Sequence, residues 1–179
     1  MEYLAKVRKR GLGAAIDYAI TYTVTIAYVI AFGQANDGQD RTVDGVEALP
    51  LVIFWFLYFP VMEGVTGQTL GKKIMGIRVI MLSGSDITIW RSFVRRIFDA
   101  VDLMFFGIVG LLVINSSDKR QRVGDLIAKT IVVEDKPARC ENCKDEFTLS
   151  RQEVLSGRFI CPKCNHENLS YHGNEPAKV

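Results

Sequence analysis

Between Gly11 and Gly33 the chain carries a single charged residue, Asp17. These 23 positions suffice to cross a hydrocarbon core of roughly 30 Å with some tilt. A basic cluster, Lys6, Arg8, Lys9 and Arg10, precedes them. A cleavable signal peptide begins the same way, and Gly33-Gln34-Ala35 offers a small-x-small pattern. Asp17 in the apolar core and a second apolar run downstream weigh against that alternative. The reading is a retained span over about 11–33.

The second run, Ala48 to Met62, is bracketed by Glu47 and Glu63 and has Pro50 and Pro60 near its ends. With those carboxylates at the membrane interface, the helix extends to a span over about 46–65. A buried soluble helix is the alternative, and the neighbouring span favours a crossing. The intervening loop carries Asp37, Asp40, Asp44 and Glu47 against Arg41, whereas the segment after Met62 carries Lys72, Lys73, Arg78, Arg91, Arg95 and Arg96. The positive-inside rule therefore places the N-terminus and the post-Met62 segment in the cytoplasm.

Gly76–Met81 and Thr130–Glu134 have the apolar, β-branched character of short strands that could pair on the cytoplasmic side. Between them, Thr88–Asp102 is amphipathic at helical period. Thr88, Arg91, Ser92, Arg95, Asp99 and Asp102 share one stripe. Read plainly, this is an interfacial helix with a solvated polar face, in which Arg95 and Asp99 can pair. An apolar stretch from Leu103 to Ile114 follows, then Lys119, Arg120 and Arg122. One crossing there would carry that basic patch outside. A helical hairpin over about 88–115 keeps the tail cytoplasmic.

The expected class is thus an α-helical integral membrane protein of the cell membrane: two spans, a helical hairpin and a short cytoplasmic strand pair. With 179 residues, 49% of them hydrophobic, the chain is neither disordered nor long enough for a dozen-helix transporter. Any ion path would need a homo-oligomer. A net charge of +2 excludes a bulk nucleic-acid neutraliser, and no nucleic acid is expected as a partner.

The most specific pattern lies at the end: Cys140-x2-Cys143, seventeen residues, then Cys161-x2-Cys164. Four thiolates so spaced fit a tetrahedral, structural Zn2+ in a zinc ribbon, with no coordination position left open for catalysis. Disulfides are the alternative, which a cytoplasmic location disfavours. Balanced charges in the tail suit a cytoplasmic protein partner better than a nucleic acid.

Asp17 is costly inside a span, by roughly 2.5–3.5 kcal/mol near the centre, so it should face a partner or a wet cavity. Arg10 lies two turns earlier on the same face, in a stripe with Gly13, Ala14, Thr21, Thr25 and Tyr28. Two readings stand: helix packing, or a cation or proton site completed by Asp99, Asp102 and Arg95. Thr66–Lys73 resembles a phosphate loop but lacks Gly at 66 and Ser or Thr at 73, so its glycines are read as bending the chain. With no nucleophile–base pattern, the chain is not expected to be an enzyme.

Arg10 with Asp17, GQTLGKK at Gly67–Lys73, GIRVI at Gly76–Ile80 and RVGDLIAKTIVV at Arg122–Val133 together resemble the RDD family of small multi-pass membrane proteins. The resemblance covers roughly Tyr3 to Asp135. It implies that Arg10, Asp17 and Asp125 are the family's arginine and two aspartates. It also implies a role as an ion pair for Asp125, locking the cytoplasmic layer to the helices. A membrane domain over 1–135 and a zinc-ribbon tail over 136–179 follow. Transport of undetermined ligands, including cation/proton exchange, is what the resemblance implies for function; a non-transporting scaffold that recruits a partner through the ribbon is the second reading.

Overall fold

The computed structural model describes residues 4–35, 41–104, 117 and 119–169, with backbone alone for residue 35 and for 99–104. Helix α1 spans Val7–Phe32, 26 residues, or about 39 Å at 1.5 Å per residue. It is built inside out. Leu12, Tyr22, Ile26, Ile30 and Phe32 are each more than half exposed, while Arg10, Gly13 and Asp17 form its buried stripe. A soluble core helix would bury the first set; a helix in lipid leaves them to the acyl chains. Its threonines need no neighbour, because Thr21 donates to the Asp17 carbonyl and Thr25 to the Thr21 carbonyl.

Beyond α1, β1 (Gln34–Ala35) pairs antiparallel with β2 (Arg41–Thr42). The second apolar helix runs 22 residues, Gly45–Thr66. It comprises a 3-10 turn (Gly45–Ala48), α2 (Leu49–Phe56), a π-helical turn (Leu57–Val61) and α3 (Met62–Thr66). Pro60 explains the wide turn. It has no N–H to donate, its ring would strike the carbonyl four residues back, and a π turn makes room. Tyr58 and Glu63 would stand about 140° apart on a regular α-helix. Across the π turn both are buried. The chain leaves α3 at Gly67, whose φ of 73° strains any side chain.

Helix α4 (Leu70–Ile74) then lies against α1. The expected bend at Gly71 is instead a point of contact. A Cβ there would sit 2.1 Å from the Gly13 carbonyl oxygen and 2.9 Å from the Asp17 carboxyl carbon. Small residues allow two backbones to approach this closely. Gly71→Ala is expected to destabilise by roughly 1–3 kcal/mol through overpacking. Gly11→Ala, with open space around the added methyl group, should cost nothing. Thermal unfolding in detergent compares them, and equal melting temperatures would refute the contact.

Strands β3 (Ile77–Met81) and β4 (Thr130–Glu134) pair antiparallel with Val79 opposite Val132, as the sequence led one to expect. The N-terminal segment adds to the β4 edge through the Ala5 N–H on the Val132 carbonyl, 3.0 Å. One cluster gathers Ala5, Ile77, Val79, Ile87 and Val132; another gathers Leu4, Ile80, Ile131 and Val133. Helices α5 (Ile89–Met104) and α6 (Val123–Ala128) stand between the strands in sequence and pack on each other. The returning limb of the expected hairpin, Phe106 to Ile114, lies outside the described residues, and so do the side chains of Asp99 and Asp102.

The polar stripe of α5 corrects the interfacial reading. Ser92 is fully buried and Arg95 nearly so, whereas Trp90 is 68% exposed and Ile97 49% exposed. Ser92 and Arg95 turn inward because buried carboxylates face them, and Trp90 and Ile97 turn out as the apolar residues of α1 do. The tail forms β5 (Ala138–Arg139) with β6 (Glu146–Phe147), α7 (Arg151–Ser156), and β7 (Arg158–Ile160) with β8 (Glu167–Leu169). Val154 and Leu155 of α7 pack on the Leu4–Ile80 cluster, so the tail is docked on the strand pair.

Candidate functional site

Asp17 is 1% exposed and satisfied by neutral donors. Oδ1 accepts from the Tyr58 hydroxyl at 2.8 Å and from the Gly71 backbone N–H at 2.7 Å; Oδ2 accepts from the Thr69 hydroxyl. Thr69 is the N-cap of α4 and Gly71 lies in its first turn, so the carboxylate also meets the positive end of that helix. A single side chain thereby ties α1 to the second span and to α4. The desolvation cost of the aspartate is offset by these three bonds.

A chain of ion pairs lies beside it. Arg10 Nη2 meets Asp125 Oδ2 at 2.5 Å, and Arg10 Nη1 donates to the Arg120 carbonyl. Asp125 Oδ1 meets Arg95 Nη2 at 2.7 Å, and Arg95 Nη1 meets Glu63 Oε1 at 2.9 Å. Glu63 also binds Lys72 and, at 3.1 Å each, Ser92 and Arg96. Arg96 lies over the Phe59 ring, 4.3 Å from its centroid. This lattice joins α1, α3, α4, α5 and α6.

Burial pushes the Asp125 carboxyl up, but the guanidinium groups of Arg95 and Arg10 and the Arg122 backbone N–H outweigh it and hold it well below the usual carboxylate range. A lowered value means that its contribution is present above the usual carboxylate pKa and is lost only as pH falls through the depressed one. Asp125 therefore stays charged across the neutral range.

Of the residues singled out in the sequence, Arg10, Arg95 and Asp125 come together directly. Asp17 has partners of its own, and the side chains of Asp99 and Asp102 lie outside the described residues. Glu63 was read as an interfacial flank; it is fully buried at the hub of the lattice. Tyr58, Thr69 and Gly71 were missed as partners of Asp17. The available signal was GQTLGKK, whose Thr, Gly and Lys each turn out to reach a buried carboxylate.

The four cysteines are free thiols, not disulfides. Their Sγ atoms all lie within 4.8 Å of one another, with Cys140–Cys164 at 3.6 Å and Cys143–Cys161 at 3.5 Å. A metal with bonds of about 2.3 Å to sulfur sets tetrahedral edges of about 3.8 Å, so the donor set fits one ion. The two knuckles are built alike. Lys144 N–H donates to the Cys140 carbonyl and Asn165 N–H to the Cys161 carbonyl, with Lys144 and Asn165 both left-handed. Buried Asn168 braces them, accepting from the Glu141 N–H and donating to Cys140 Sγ and the His166 carbonyl.

Burial raises the Cys140 thiol, but the N–H groups of Cys143 and Asn142 and the side chains of Cys164 and Asn168 bring it down to about 6. At Cys143 the Asp145 N–H lowers the value, while burial and the other sulfurs win and push it up to about 12. Four sulfurs this close cannot all ionise without a cation among them.

Two exposed apolar helices of membrane length, a buried charge lattice between them and a metal-capable cluster define a multi-pass helical membrane protein. Residues 4–129 match the RDD family, and the chain belongs to it. No curated protein and no solved structure matches the chain.

Proposed function

We propose that this RDD protein is a non-transporting membrane scaffold whose C-terminal zinc ribbon recruits a cytoplasmic protein partner. The observation that carries this is the state of Asp17: both carboxylate oxygens are taken up in fixing α4 to the spans. Cations also crowd the cavity beside it, a poor setting for a second cation. Zn2+ held by Cys140, Cys143, Cys161 and Cys164 would be structural and would keep the tail folded on the strand pair. The basic post-Met62 segment supports a cytoplasmic position for the N-terminus and the tail.

Cation or proton transport by an oligomer is the second reading, favoured by the position of Asp17 on a cavity wall within a membrane-length helix. Flux in phosphatidylcholine proteoliposomes separates the two. Under the scaffold reading the wild type shows no cation flux driven by a pH gradient, and Asp17→Asn only lowers stability, by roughly 1–3 kcal/mol. Wild-type flux that Asp17→Asn abolishes would reverse the choice.

A further inference from the structure

The charged side chains lining the cavity beside Asp17 are mainly cationic. It is about 40 Å³ and is lined by Arg10, Lys72, Arg95, Arg96 and Arg122 together with Asp17. Asp17 is the one carboxylate among the described lining residues, while Glu63 and Asp125 pair with several of these cations from outside the lining. Asp17 is no bar to an anion in the way a bare carboxylate would be, because both its oxygens accept hydrogen bonds from Tyr58, Thr69 and Gly71.

A second observation is independent of the charge count. Arg95 Nε and Arg122 Nε are buried and have no hydrogen-bond partner among the described residues. Arg95 as a whole is only 8% exposed. Buried donors normally have acceptors, and those that lack one call for an explanation. Both belong to side chains that line the same cavity. A water molecule there would satisfy an N–H group and bring no negative charge to a cationic lining. An anion would do both, and a guanidinium offering Nε beside Nη is the usual fork for an oxyanion.

We propose that this cavity binds one phosphate-class anion, with Arg95 and Arg122 supplying their unpaired Nε–H groups. The volume has room for roughly three waters at ~10–15 Å³ each, which is the scale of a phosphoryl group. The anion is either the headgroup phosphate of an acidic lipid or free inorganic phosphate. The assignment requires neither the scaffold nor the transport reading.

Full-length protein in phosphatidylcholine nanodiscs is titrated with inorganic phosphate at constant ionic strength by calorimetry. In a second arm, detergent-purified protein is titrated with phosphatidylglycerol, against phosphatidylcholine, by native mass spectrometry. Arg122→Gln is the informative variant, because the Arg122 side chain takes part in none of the ion pairs among the described residues. Loss of one charge-assisted bond should weaken binding roughly tenfold. Arg122→Lys, which restores charge without the fork, should recover part of it, and unchanged melting temperatures show that both variants fold.

Saturable phosphate binding weakened by Arg122→Gln supports the free anion. Binding confined to phosphatidylglycerol, with the same dependence, supports the headgroup. Absence of both from the wild type, or equal binding by Arg122→Gln, overturns the site.

Discussion

Glu63→Gln is expected to lower the stability of the membrane body by roughly 3–5 kcal/mol, the cost of breaking a buried ion pair from one side. Glu63 has no exposed surface, and its two oxygens meet Lys72, Arg95, Arg96 and the Ser92 hydroxyl. Glutamine keeps the shape and removes the charge, so Lys72 and Arg96 each lose one charged partner. Arg95 retains Asp125. Arg78→Gln serves as the contrast, since its pair with Asp135 is partly solvated at 3.1 Å and should contribute no more than ~1 kcal/mol. Thermal unfolding in a mild detergent measures both. A Glu63→Gln protein that melts with the wild type would mean the lattice is incidental.

Cys161→Ser should have the largest effect on the tail. Apparent binding energies of structural zinc, about 10–16 kcal/mol in isolated finger peptides, are folding energy for the segment that holds the ion. Among the described residues the tail's own apolar cluster is small: Ala138 and Phe159 with Phe147, Leu149 and Val154. Zinc content measured on purified protein should fall from one equivalent to none. Limited proteolysis should then cut within residues 138–169 while the fragment covering 4–129 persists. Chelation of the wild type should reproduce the same cuts. Full zinc content and a resistant tail in Cys161→Ser would reject the assignment.

The two variants also differ in how readily the sequence pointed to them. The cysteine cluster is local: each knuckle is four residues with a fixed backbone turn, so spacing alone carries it. The spans are local too, since length and lack of charge suffice, and the strand pair follows from two short apolar runs. Glu63 is the opposite case. At the end of an apolar run a carboxylate reads as an interfacial flank, and its burial depends on two things the run does not contain. One is the π turn that Pro60 forces, which lets Tyr58 and Glu63 both turn inward. The other is the set of cations that α4 and α5 bring from 9, 32 and 33 residues away.

Helix α5 shows the same limit in another form. Its period was legible, but not which side faces in. Ser92 and Arg95 of the polar face are the buried ones, against Glu63 and Asp125, while Trp90 and Ile97 of the apolar side stay exposed. Periodicity gives a helix two faces and leaves the surroundings to choose between them.

The 23 nearly uncharged positions from Gly11 to Gly33 determined by themselves a helix long and apolar enough to cross a membrane. They also marked Asp17 as a residue that must be satisfied. What satisfies it was decided only by tertiary structure. Its partners come 41, 52 and 54 residues later, brought within reach because Gly13 and Gly71 let two backbones nearly touch. Burial cost is a property of one residue and is written in the sequence; its compensation is a property of geometry and is not.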